Sequence, residues 1–448
     1  MQDRNLASKL AETIKQTSQI DPELFARYGV KRGLRNDDGT GVLVGLTRIG
    51  NVVGYEQDAD GVPHPIPGQL FYRGYEVGDL VRAFRAEQRF GFEETAFLLL
   101  SGALPTADEL EGFRRLLVEN MPLPHEAVMS ILSLRGTNIM NMLARSVLEL
   151  YTYDTDPETL TPHRSMEQSI ALIGGIPTII AYAYNALAYH TRRAPMHIRV
   201  PRPELSVAEN FLYMLREDYT ELDARVLDMF LILQAEHGGG NNSAFAVRVT
   251  SSTLTDIYSA IAAGIGSLKG PLHGGANILV ADMFDHLKTV IGDWHDADEI
   301  TAYLSRMVKK EVYDKQGLIY GVGHAVYTIS DPRVGPLREM ARELAAEKGR
   351  LDEFEFLDLI GVQAVDLVSK VKMHGRPATL NVDFYSGLLY DLIGIPRELY
   401  TPVFAMSRIV GWTAHRNEEI NFSGRRIIRP AYREVNNEQP VYVPLSER

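Results

Sequence analysis

The sequence contains no cysteine. Disulfides, thiolate nucleophiles and cysteine-ligated metal sites are therefore excluded, and a reducing compartment fits. It has no excess of positive charge either. With 46 Lys and Arg against 58 Asp and Glu, the net charge is −12, so a nucleic-acid partner is not expected. An anionic small substrate stays compatible with that balance, because screening over ~8 Å at physiological salt lets a few arginines dominate a pocket. Low-complexity segments and repeats of solenoid length are missing.

Long apolar runs are missing too, with one exception. Residues 170–189 carry no charge, about the ~20-residue length of a membrane span. Yet Gly174-Gly175, Pro177, Thr178, Asn185 and three tyrosines interrupt it, and no second such segment exists. A helix buried on all sides, in a core or a subunit interface, is expected, and no membrane partner. Residues 1–20 lack the apolar stretch of a signal peptide. Leu6, Leu10 and Ile14 fall at helical spacing, while Asp3 and Glu12 argue against a transit peptide. A short amphipathic helix, packed on the body or on a partner subunit, is expected there, in a cytoplasmic protein.

What is present is ordinary globular composition, 45% apolar and 23% charged over 448 residues, which predicts at least two packed units. Helical periodicity dominates. Residues 254–268 place Ile257, Ile261, Ile265 and Leu268 on one face, and Gly270-Pro271 ends the run. Residues 336–348 run from Pro336 to a stop at Gly349, and 221–234 and 356–372 are alike in kind. The best strand signal is Gly41–Thr47, followed by 49–55. The expected fold is mainly α with a minor β element near residues 41–75.

Three compact signals carry chemistry: Gly270-Pro271-Leu272-His273-Gly274-Gly275-Ala276-Asn277, then Gly321-Val322-Gly323-His324 continuing to Asp331-Pro332-Arg333, and Asn381-Val382-Asp383-Phe384. Each sets one titratable group in a glycine-rich or turn context where backbone can approach a ligand. Two imidazoles and a carboxylate suit proton removal beside a carbonyl, with the oxyanion held by donors. His273, in a loop just before a helix, should be kept neutral by the helix dipole. Taken singly, each has a bland reading: a loop histidine, a turn at Asp-Pro-Arg, a capping aspartate. His-x-x-x-His and carboxylate clusters with metal spacing are not found, so no metal site is expected.

Together with Phe71-Tyr72-Arg73-Gly74-Tyr75, residues 176–182 and the segment His237 to Ser243, these signals stand in the order of the citrate synthase family, which the chain resembles. The resemblance implies a two-domain helical fold: a large domain of 1–275 completed by 383–448, and a small domain of 276–382. It implies condensation of acetyl-CoA with oxaloacetate and water to give citrate and CoA. Propionyl-CoA (2-methylcitrate synthase) is the alternative substrate, and a citryl-CoA lyase a further one. By the same resemblance Asp383 is the base, His273 holds the thioester oxygen and His324 polarises the ketone. His237, Arg333, Arg408 and Arg429 bind oxaloacetate, with Arg429 reaching across a homodimer. A permanently bound cofactor is not implied; acetyl-CoA is a co-substrate. Gly238, Ile278 and Ala325 depart from commoner family residues and mark a divergent branch.

Overall fold

The structure is a computed structural model that describes residues 2–373, 377–436 and 441–447. It divides into two bodies, a small one of residues 1–45 with 428–448 and a large one of residues 46–427. The small body holds α1 (Gln2–Thr17) and α2 (Pro22–Arg27). Asp21 caps α2 through the Glu23 N–H, and Pro22 begins it, where its missing N–H costs nothing. Leu6, Leu10 and Ile14 form the expected stripe on α1, and all three are exposed.

The large body opens with a three-stranded antiparallel sheet, β1 (Gly50–Gln57), β2 (Pro63–Tyr72) and β3 (Tyr75–Glu76). Gly50 pairs with Tyr72 and Val52 with Leu70, and the register slips between Val53 and Tyr55. The β element thus lies where it was expected, but the run 41–47 is not a strand. Leu43, Val44 and Leu46 are exposed, and Gly41 makes only an isolated bridge to Arg35. β-favouring residues form a strand only with a partner edge, and among the described residues this run has none beyond the single Gly41 bridge.

Helices supply the rest: α3 (Val77–Ala86), α4 (Phe92–Ser101), α5 (Ala107–Glu119), α6 (His125–Ser133), α7 (Ile139–Leu150), α8 (Pro162–Arg192), α9 (Val207–Leu215) and α10 (Glu221–Gln234). Thr106 with Glu109, Ser206 with Glu209 and Thr220 with Asp223 form reciprocal capping boxes that start α5, α9 and α10. The chargeless run forms the middle of α8, with Ile173, Ile176, Ile179, Ile180 and Ala183 buried. It packs against α6, α7, α9 and, later in the chain, α18 (Tyr400–Asn421), which explains its apolar surface all round. It is the one described helix long and apolar enough to cross a membrane, and most of it is covered by protein.

Between them run α11 (Asn242–Ser251), α12 (Ile257–Leu268), α13 (Ala276–Val290), α14 (Ala297–Val308), α15 (Val334–Glu347), α16 (Leu351–Val371) and α17 (Asp383–Leu392). Among the described residues, eighteen α-helices against one small sheet make the fold mainly α. Two glycines of the sheet admit the loop after α14. A Cβ at Gly54 would stand 2.5 Å from Val326 O, and one at Gly68 2.2 Å from Ser330 O. Gly68 N–H donates to Ser330 O at 3.1 Å, so the hairpin holds the His324 loop in place.

Candidate active site

The last carbonyls of a helix have no partner within it. At the end of α10 they are met from α18 and β2. Ser407 Oγ donates to Leu231 O, Tyr72 OH lies 3.0 Å from Ile232 O, Arg408 Nε donates to Gln234 O at 2.7 Å, and Gly411 N–H donates to Ala235 O at 3.1 Å. The chain then turns at His237, with Gly238 at φ +82°, a conformation that glycine adopts without strain. The His237 ring is buried, 5.2 Å from the His324 ring and 5.6 Å from that of Tyr327. Among the described residues its Nε2 has no partner. Burial, then the charges of Arg333 and the neighbouring His324 and Arg408, hold it well below the usual histidine value, so it is neutral.

His324 has its tautomer written into the loop. Its Nδ1 accepts the N–H groups of Val326 and Tyr327, each at 3.0 Å, so Nε2 carries the ring hydrogen. The ring stacks on Tyr327 at 4.5 Å, and Tyr327 OH donates to Gln69 O of β2 at 3.3 Å. The strand of chain before His324 is laced to the one before Asp383. Gly323 N–H donates to Thr379 O at 2.7 Å, and Asn381 N–H to Gly321 O at 2.9 Å. Asn381 also donates from Nδ2 to Gly323 O at 2.9 Å and accepts the Asp383 N–H at 3.1 Å. Asp383 opens α17 and keeps part of its surface open. Its carboxyl is nonetheless pushed up by burial to about 6, against the pull of Arg333 and Arg408.

His273 sits in the turn between α12 and α13. Its N–H donates to Gly270 O at 2.9 Å, and Thr401 Oγ1 of α18 donates to Gly274 O at 3.0 Å. The His273 Nε2 lies 3.1 Å from Ser243 Oγ, which also takes the Trp412 indole N–H at 3.1 Å. Burial and then Arg408 lower its value to about 4. The imidazole is neutral, with burial the larger cause and the charge of Arg408 the second.

Arg408 lies at the centre. It is buried, its guanidinium stacks over Phe404 at 4.8 Å, and Nη1 and Nη2 have no partner among the described residues. Burial lowers it to about 10, so it stays charged at neutral pH. Arg333, also buried, turns Nε (2.9 Å) and Nη2 (2.7 Å) on Asp331, which leaves Nη1. The field of Arg408 reaches His237, His273 and Asp383 alike, and that of Arg333 reaches His237 and Asp383. The structure thus gathers His237, His273, His324, Arg333, Asp383 and Arg408. His237 and the two arginines are buried, while His273, His324 and Asp383 keep some surface. Arg429 lies in the small body, exposed in an irregular segment.

A recess of about 240 Å³ opens beside His324, lined by Leu318, Val322, Tyr327, Lys372 and Thr379 among others. A larger cavity of about 750 Å³ runs along the first half of α8 and contains none of the candidate residues. Among the described residues no three His, Asp or Glu side chains form a metal-holding group. Sequence reasoning missed Trp412 and Asn381, which hold Ser243 and the Asp383 loop. Asn381, two residues before Asp383 in the same motif, was the available signal for the loop; Trp412 carried none, since its role depends on α18 packing against α11.

The sequence profile of the family described as "Citrate synthase, C-terminal domain" matches residues 37–431. A relative from Deinococcus radiodurans named citrate synthase is 37% identical over 80% of this chain and 88% of its own. One from Shewanella oneidensis named 2-methylcitrate synthase is 32% identical over 85% of this chain and 92% of its own. The crystal structure of citrate synthase from Pyrobaculum aerophilum superposes with a TM-score of 0.74 at 32% identity, covering 91% of this chain and 94% of that one. A ternary complex of citrate synthase from the archaeon Thermoplasma acidophilum with carboxymethyl coenzyme A and oxaloacetate gives 0.76 at 27% identity, over 94% and 99%. A profile spanning most of the sequence, over a cluster of imidazoles, arginines and one carboxylate that the fold assembles, places this chain in the citrate synthase family.

Proposed function

We propose that the protein condenses acetyl-CoA with oxaloacetate and water to give citrate and CoA, with His273, His324 and Asp383 as its catalytic residues. The observation that carries the reading is the Arg408 guanidinium. It is buried and charged, with two nitrogens that have no partner among the described residues, beside neutral imidazoles and a carboxyl near 6. A buried cation with spare donors is a receptor for a carboxylate, held by parallel hydrogen bonds. Oxaloacetate brings two carboxylates. Arg408, Arg333 through Nη1, and His237 through Nε2 are its receptors within the chain.

Asp383, ionised above pH 6, takes a proton from the acetyl methyl group, and the thioester oxygen that gains charge is held by His273. The Ser243 hydroxyl donates to Asn241 Oδ1 at 2.9 Å; for His273 to donate from Nδ1, that hydrogen turns to His273 Nε2, 3.1 Å away. The new carbanion equivalent attacks the ketone carbon, whose oxygen is held by a hydrogen bond from the Nε2–H of His324 as the C–C bond forms; the proton that Asp383 removed balances the one gained by the resulting hydroxyl of citryl-CoA. Water then cleaves the thioester of citryl-CoA, releasing citrate and the CoA thiol. A well-placed base contributes ~10²–10⁴-fold, and one oxyanion donor about 2.7–4 kcal/mol of barrier. The recess beside His324, with Lys372 on its wall, is where part of the CoA would lie. No permanently bound cofactor is needed.

Residues 276–382 would act as the small domain, closing on 1–275 with 383–448 once the keto acid is bound and excluding water until hydrolysis. In a cytoplasmic homodimer, Arg429 would complete the oxaloacetate site of the second copy. Thiol release from acetyl-CoA plus oxaloacetate tests the reading directly, since the chain contributes no thiol of its own. No release with acetyl-CoA but release with propionyl-CoA would move the assignment to the activity in the name of the Shewanella relative. One methylene is worth only ~1–3 kcal/mol of discrimination, so both thioesters belong in the assay.

A further inference from the structure

The proposed chemistry does not use the buried charged residues that adjoin the His237 turn. Glu236 precedes His237 and is fully buried. Its Oε1 accepts the backbone N–H of Gly238 and lies 2.9 Å from His415 Nε2. On the other side of that ring, His415 Nδ1 lies 2.8 Å from Arg248 Nη1. A guanidinium only donates. His415 Nδ1 is therefore an acceptor, and the ring hydrogen sits on Nε2, where it is donated to Glu236. Arg248 is held in turn: Nη1 also meets Glu418 at 2.8 Å, and Nη2 meets Glu419 at 3.0 Å and Leu46 O at 3.3 Å.

The Glu236 side chain has no room to leave. A Cβ at Gly50 of β1 would stand 2.8 Å from its Cγ and Oε1, and one at Gly411 of α18 2.3 Å from its Oε2. The carboxylate is clamped between two glycines, with its free choice reduced to the Gly238 N–H and the His415 ring. The bond from Gly238 back to Glu236 closes the left-handed turn that carries the His237 ring. Burial pushes the Glu236 carboxyl up, but His415, Arg408 and the Gly238 N–H outweigh it and hold it below the usual range, so it is anionic.

We propose that His415 is a positioning residue. Locked by Arg248 as the Nε2–H tautomer, it pins the Glu236 carboxylate onto the Gly238 N–H and so aims the His237 ring at the keto acid. The last step rests on the proposed role of His237 in binding oxaloacetate; the hydrogen-bond chain itself does not.

The test compares His415→Leu, which keeps bulk but no hydrogen bond, with His415→Gln, which retains one donor and one acceptor. His415→Leu should raise the KM for oxaloacetate about tenfold, as expected for losing a hydrogen bond to a charged group. Its kcat and its KM for acetyl-CoA at saturating oxaloacetate should stay within about twofold, and His415→Gln should recover most of the loss. In substrate-free protein, ¹⁵N-histidine NMR should find His415 protonated on Nε2 and bare on Nδ1. The His237 signals should move in His415→Leu and return in His415→Gln. A hydrogen on His415 Nδ1, an unmoved His237 signal, or a glutamine variant no better than leucine would overturn the proposal. If His415→Leu does not fold, the parent's tautomer and the glutamine variant still decide. A parent without thiol release would sink the proposed function alone, because the NMR measurements need no substrate.

Discussion

Asp383 should make the protein less stable in order to make it active. A carboxyl on an unfolded chain titrates near 3.8, and in the folded protein this one is pushed to about 6. Above pH 6 the folded state must hold a charge where burial disfavours it. Folding is then opposed by the full difference, and below pH 3.8 by almost none of it. At about 1.4 kcal/mol per pH unit the difference is about 3 kcal/mol. Asp383 retains some open surface, and water reaching it makes that figure an upper limit, so about 1–3 kcal/mol is expected. Asp383→Asn removes the titration. It should stabilise the substrate-free protein by this amount at pH 8 and by about half as much at pH 5, where the folded carboxyl is mostly neutral already. Turnover should fall by ~10²–10⁴-fold in the same variant. Urea denaturation at the two pH values, with thiol release alongside, measures both. An Asn variant no more stable than its parent at pH 8, or with equal gains at both pH values, would refute the burial argument. Unchanged turnover would remove the base assignment.

The same carboxyl sets a pH profile: kcat/KM for acetyl-CoA should rise through about pH 6 as the base ionises, and Asp383→Glu should shift that limb. Arg408→Gln should raise the oxaloacetate KM far more than the acetyl-CoA KM, because both free guanidinium nitrogens are lost; isothermal titration with oxaloacetate checks it. His273→Ala should lower kcat by about 10²–10³, with oxaloacetate affinity nearly unchanged. Gly411→Ala drives a methyl into Glu236 and Ala235 O, and should cost about 1–3 kcal/mol of stability, read as a lower denaturation midpoint.

Helices were legible because burial periodicity is local. The pattern over 221–234 matches α10, and that over 336–348 lies within two residues of α15, whose stop at Gly349 is a left-handed turn. The run 356–372 is the latter part of α16, which begins at Leu351, where Asp352 and Glu353 in the first turn were an unread start signal. The run 41–47 reads like a strand in composition alone, and no local signal reveals that a partner edge is missing. The motifs around His273, His324 and Asp383 were legible for another reason. Close approach of backbone to a small ligand demands glycines and turns, which leave a compact trace in sequence.

By itself the sequence determined the helical class, the chargeless α8 and the residue types that could move a proton beside a carbonyl. Tertiary structure alone decided their states. His324 has its hydrogen on Nε2 because two backbone N–H groups occupy Nδ1, and Arg408 has spare nitrogens because only Nε is used to cap α10. His415 meets Glu236 across 179 residues of chain. Side-chain identity is written locally, but protonation, tautomer and free valence depend on which distant groups burial brings within hydrogen-bonding reach, and no periodicity encodes that.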